Sequence, residues 1–83
     1  MEGSLIYNRE DFNIKFLTRT DIASMSYREI LAIFMVVDDN GYVNFDKLKK
    51  SFDETLDMDL REAIILGKEA LREIKEKIRL LKT

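Results

Sequence analysis

Leu60, Ile64, Gly67, Leu71, Ile74, Ile78 and Leu81 recur at a 4-3 spacing across three heptads. That spacing returns each position to one face of an α-helix. It predicts a single long C-terminal helix, from about Asp59 to Lys82. At about 1.5 Å per residue the helix is roughly 36 Å long. A globule of this chain length has a radius of gyration near 12 Å and a diameter of about 30 Å. Part of the apolar stripe is therefore expected to project beyond the body, and exposed apolar surface of that kind calls for a partner. Ala63 and Ala70 widen the stripe on one flank. With Gly67 they leave little side-chain bulk, so another helix can approach closely there.

Charge narrows which helix that is. With Leu60 at heptad position d, the e positions are Arg61, Lys68, Lys75 and Lys82, all basic. The g positions Ala63, Ala70 and Lys77 offer them no acidic partner, and an antiparallel pair would set e against e. The stripe is thus expected to pack on helices of a globular body, its own or a second subunit's. The acidic run Asp53, Glu54, Asp57 and Asp59 can face the basic row across such an interface. Homodimerisation through Leu60, Ile64, Gly67, Leu71, Ile74, Ile78 and Leu81 is expected, with an intramolecular bundle as the alternative.

Upstream, Ser26-Tyr27-Arg28-Glu29 fits a capping box, and Met25 with Ile30 fits the hydrophobic staple around it. The helix that follows is apolar nearly all round through Val37, which predicts burial in a core or at an interface. Asp38-Asp39-Asn40-Gly41 ends it, because Asn and Gly tolerate the left-handed conformation. Asn44 is the expected N-cap of a short helix from Phe45 to about Phe52, with Val43 and Leu48 as its staple. Asp53 to Asp57 reads as a break, and Asp59 with Glu62 as a second capping box. Phe12, Ile14 and Phe16 alternate with Asn13 and Lys15, the period-two mark of a half-buried strand. Leu5-Ile6-Tyr7 is a candidate partner strand, and Thr20 to Met25 a short preceding turn. The fold class is therefore mainly α: three helices in a helix-turn-helix-like order, a candidate short N-terminal β-hairpin and a long C-terminal helix. The chain reads as one domain, with 1–19 as the hairpin, 20–56 as the body and 57–83 as the long helix.

Function is constrained mostly by what is missing. The 83 residues contain no Cys and no His. Disulfides, thiolate chemistry and Ser–His or Cys–His catalysis are excluded, and neither the thiolate nor the imidazole ligands of a usual zinc site are present. MEGSLIYNRED lacks a basic region followed by a long apolar run, so no signal peptide is expected. The longest apolar run, Ile30 to Val37, is too short to span a bilayer, and a soluble cytoplasmic protein with no membrane partner is the default expectation. The net charge of −2 conceals an asymmetry. Residues 1–67 carry eight Lys/Arg and thirteen Asp/Glu, whereas residues 68–83 carry six Lys/Arg and three Glu.

Three kinds of site come into question. Asn40-Gly41-Tyr42-Val43 resembles the middle of an EF-hand loop, with Gly at position six and an aliphatic residue at eight. Val36 then stands at position one and Lys47 at position twelve, where calcium needs oxygens. Asp38, Asn40 and Asn44 alone are too few ligands, so no metal or cofactor site is expected. The helix-turn-helix order also suits a DNA-binding regulator, with the helix from Asp59 as the reader. Asp57, Asp59 and Glu62 would then face phosphates, which disfavours nucleic acid even with Lys47, Lys49, Lys50 and Arg61 nearby. Asp38, Asp39, Asp46, Asp53, Glu54, Asp57 and Asp59 could pair for acid–base work, but no phosphate loop, substrate clamp or nucleophile accompanies them. What remains is a small non-enzymatic interaction module, a regulator or inhibitor that dimerises through its last helix. It would offer the acidic surface Asp53, Glu54, Asp57 and Asp59 to a larger protein whose identity the sequence does not carry.

Overall fold

Each helix starts where a polar side chain can hold its first free N–H groups. In the computed structural model, which describes residues 10–83, Thr18 caps α1 (Arg19–Ala23) with Asp21 closing a capping box. Ser26 caps α2 (Tyr27–Val36). Its Oγ accepts from the Glu29 N–H at 3.2 Å, while Glu29 Oε1 accepts from the Ser26 N–H at 2.8 Å. Asn44 caps α3 (Phe45–Leu56), accepting from the Lys47 N–H at 3.0 Å. Asp59 caps α4 (Leu60–Leu81). β1 (Phe12–Asn13) and β2 (Tyr42–Val43) form a two-strand antiparallel ladder, Phe12 opposite Val43 and Asn13 opposite Tyr42.

The α2 helix is the hub: α3 packs on one side of it and α4 on the other. Ile30, Leu31, Ala32 and Ile33 are buried between them with Leu48, Ile74 and Ile78, and Ile14, Leu17 and Val43 close one end. Removing side chains such as Ile14, Ile33 and Leu48 from water contributes about 1.5–3 kcal/mol each. The close approach expected at Gly67 is made within the chain. A Cβ there would lie 2.6 Å from Tyr27 Cβ and 2.9 Å from the Tyr27 carbonyl oxygen, so the start of α2 crosses α4 at the one residue that lets it through. Phe34 and Met35, at the far end of α2, stay 43% and 50% exposed, so that helix is not buried all round.

The mainly helical class and the long last helix stand as expected, and several details differ; α2, for one, ends at an extended Val37 and not in a left-handed residue of Asp38–Gly41. The alternating run at Phe12–Phe16 is a strand only as far as Asn13. Asn13 Oδ1 accepts from the Lys15 N–H at 3.0 Å and turns Ile14–Phe16 into a 3₁₀ turn. The partner of β1 is β2, from beyond α2; the candidate strand Leu5-Ile6-Tyr7 lies outside the described residues. The α3 helix runs past Phe52 through Asp53 and Glu54 to Leu56. Carboxylates in a last turn oppose the helix dipole, but the Arg28 guanidinium donates to the Thr55 carbonyl and, at 2.9 Å, to the Met58 carbonyl. Thr55 Oγ1 adds a bond to the Phe52 carbonyl at 2.6 Å. A cation from α2 thus offsets the break that the local sequence predicts. Finally, Asp59 caps α4 through the Arg61 N–H at 3.2 Å, without a reciprocal bond from Glu62. The body measures 36 × 25 × 24 Å, so a 22-residue helix of roughly 33 Å fits within its length.

Candidate interaction surface

The apolar positions of α4 divide into two sets. Gly67, Ile74 and Ile78 are buried, and Leu71 and Leu81 pack against the core from its edge. Ala63 and Ala70, the flanking small residues, are buried as well. Leu60 points outward at 62% exposure, and Ile64 is half-buried. The stripe is therefore consumed inside the chain from Gly67 onward and is open at its start.

Around that start the structure gathers apolar residues that the 4-3 spacing does not contain. Ile65 is 61% exposed, and Leu56, at the end of α3, is 54% exposed. Leu60, Ile64 and Ile65 line an open depression of about 560 Å³ together with Asp59 and Arg61. A signal for this was present in the sequence. Ile64-Ile65-Leu66 are three consecutive apolar residues set about 100° apart on a helix, so they cannot all face one core. Leu66 is indeed 39% exposed.

Of the four acidic residues, Asp59 lines this depression. Asp53 and Glu54 are exposed on the last turn of α3, Asp57 is its C-cap, and Asp59 is the N-cap of α4. The e-row cations Arg61, Lys68, Lys75 and Lys82 are all exposed along α4. Lys47, Lys49 and Lys50 are exposed on α3, the helix that also carries Asp46, Asp53 and Glu54.

The Asp38–Gly41 turn uses its polar atoms to hold the backbone. Asp38 Oδ1 accepts from the Asn40 and Tyr42 N–H groups, each at 2.9 Å. The Asn40 carbonyl accepts from Asn13 Nδ2 at 3.0 Å, and Asn44 is occupied as the α3 cap. Gly41 has φ +87°, and a Cβ on it would lie 2.5 Å from Leu81 Cδ1. Among the described residues no three carboxylates converge on a point that could hold a metal ion.

A further anchor of this turn lies far away in sequence. Asp11 Oδ1 accepts from the Phe45 N–H at 2.7 Å, and its other oxygen accepts from the Tyr42 hydroxyl. The Phe45 N–H, and then the Tyr42 hydroxyl, hold the Asp11 carboxyl below the ordinary carboxylate range. The same hydrogen bond, with burial and the charges of Asp11 and Asp38, pushes the Tyr42 phenol up. A donor 34 residues from its acceptor leaves no local spacing for a sequence reading to find.

Among the described residues no helix is long and apolar enough to cross a membrane. Compared with known proteins, the chain matches no protein-family model, no curated protein sequence and no solved structure.

Proposed function

We propose that the chain is a small non-enzymatic interaction module, a regulator or inhibitor that pairs with a second copy through the start of α4 and binds a larger protein. The observation that supports this most is the open apolar depression at the start of α4, where Leu60 and Ile65 are each more than half exposed on a chain this small. Scattered apolar side chains are ordinary on a surface, whereas a contiguous group rimmed by charge marks an interaction site. A two-fold pairing across Leu60 and Ile64 would let Arg61 and Lys68 of one copy meet Asp57 and Asp59 of the other, which relieves the e-against-e repulsion. The acidic residues left at the rim, Asp53 and Glu54, would then face the larger protein. Sedimentation of the wild type and of the Leu60→Lys/Ile65→Lys double variant tests the pairing. A concentration-dependent dimer that the variant abolishes while staying folded supports it; folded monomers in both cases end it.

A helix-turn-helix DNA-binding regulator is the second reading, favoured by the exposed Lys47, Lys49 and Lys50 on α3. Asp59 and Glu62, exposed at the start of α4, count against it, because duplex binding draws much of its affinity from neutralised phosphates. Micromolar protein that fails to shift a random duplex at low salt would remove this reading.

A further inference from the structure

A second concave surface lies between α1 and the C-terminal half of α4, away from the Leu60 group. It is a groove of about 810 Å³ lined by Leu17, Ile22, Met25, Ile30, Leu71 and Ile78. The cations in its lining are Arg19 at the start of α1, and Lys75 and Lys82 on α4. All three are exposed, and none forms an ion pair with a described residue. Among the described residues no carboxylate lines the groove. Asp21, on α1 itself, has its Oδ2 committed to the Thr18 N–H at 2.9 Å.

We propose that this groove docks an acidic amphipathic helix of a partner protein. The apolar floor matches the i, i+3/i+4, i+7 anchors of a helix laid into a groove. The α4 wall from Leu71 to Lys82 is roughly 16 Å long, which fits about three turns of such a helix. These exposed cations select carboxylates flanking those anchors, and complementary charge of this kind sets orientation and encounter rate as well as partner choice. A membrane surface fits less well, because the apolar groups are recessed between two helices, with Leu17, Ile30 and Ile78 buried and Ile22, Met25 and Leu71 half-buried. The inference shares with the proposed function only the premise that the partner is a protein. It uses different residues, so the two can fail separately.

Fluorescence anisotropy with two labelled synthetic helices of about three turns tests it on the full chain. Both carry Leu at the anchor positions; one is flanked by Glu and the other by Lys. The Glu helix is expected to bind the wild type with an affinity that falls as salt rises. Reversing two exposed cations, Lys75→Glu/Lys82→Glu, is expected to weaken that binding roughly tenfold and to shift preference toward the Lys helix. Arg19→Glu, on the opposite wall, is expected to act in the same direction. Sedimentation of the same variants reads self-association, which should be unchanged. No binding of the Glu helix, or equal binding of both helices to wild type and variant, overturns the inference. So does a cation-dependent loss of dimer without helix binding, which gives the groove to a second copy. Cation-dependent binding to vesicles of mixed neutral and anionic phospholipid, without helix binding, gives it to a membrane and likewise overturns it.

Discussion

The two ends of α4 are built from the same kind of sequence and do opposite things. At the C-terminal end Ile74 and Ile78 are buried, and Leu81 presses on the Asp38–Gly41 turn so closely that Gly41 has no room for a Cβ. At the N-terminal end Leu60 and Ile65 face outward beside Asp59 and Arg61. The difference arises at Gly67, where α2 begins its crossing. Beyond that point α2, the 3₁₀ turn and the Gly41 turn give large side chains something to pack against. Before it, Ala63 is the one fully buried position of α4, and bulk has to go elsewhere. An apolar repeat thus states which residues share a face, while what covers that face is decided by where a neighbour can come close.

The sharpest contrast between the ends should appear on truncating one side chain at each. Ile74→Ala is expected to destabilise the fold by about 2–5 kcal/mol, whereas Ile65→Ala should stay within about 0.5 kcal/mol. Urea unfolding read by circular dichroism gives both values. If Ile65→Ala were as damaging as Ile74→Ala, the open end would be closed.

The α3–α4 turn at the open end is held by Arg28, so removing its charge and fork probes that end alone. Arg28→Gln should cost about 1.5–3 kcal/mol, the range for hydrogen bonds to a charged group. Its largest effect should be faster amide exchange around Thr55 to Arg61. Uniform loss of protection along α4 would mean that the two ends are not separable.

Gly67→Ala tests the boundary itself. Alanine in a helix interior is favoured over glycine by about 0.8–1.0 kcal/mol, but here the new Cβ meets Tyr27 Cβ and the Tyr27 carbonyl oxygen. A backbone carbonyl cannot swing aside as a side-chain tip can, so the overpacking cost should win, with a net loss of about 1–2 kcal/mol. A gain in stability would show that α2 and α4 are less tightly crossed.

The smallest effect expected belongs to the closed end and to pH. The Asp11 carboxyl titrates lower in the folded chain than in the unfolded one. Its contribution is therefore fully present above the ordinary carboxylate range and is lost as pH falls through the lowered folded value. Asp11→Asn should flatten that part of the stability profile below about pH 4 and leave the neutral-pH side of the profile parallel to wild type.

Most of the helical frame could be read from local chemistry. The Ser26 box and the Asn44 cap each act within four residues of where they stand, and each is where the sequence places it, whereas α2 leaves its helix at an extended Val37, four residues before Gly41. The contacts that could not be read are long-range. Arg28 reaches Thr55, Asp11 reaches Phe45, and β1 finds β2 across the whole of α2. The same limit applies to the surface. The 4-3 repeat named the face of α4, but only the crossing at Gly67 divides it into a covered part and an open one. Ile65 lay outside the repeat altogether.

Chemical-shift mapping across a dilution series tests the central claim most directly, because it reads every residue of α4 in one experiment. Concentration-dependent shifts are expected from Leu56 through Lys68, with the amides of Ile74, Ile78 and Leu81 unmoved. Shifts centred on the C-terminal half of α4, or none at any concentration, would contradict it.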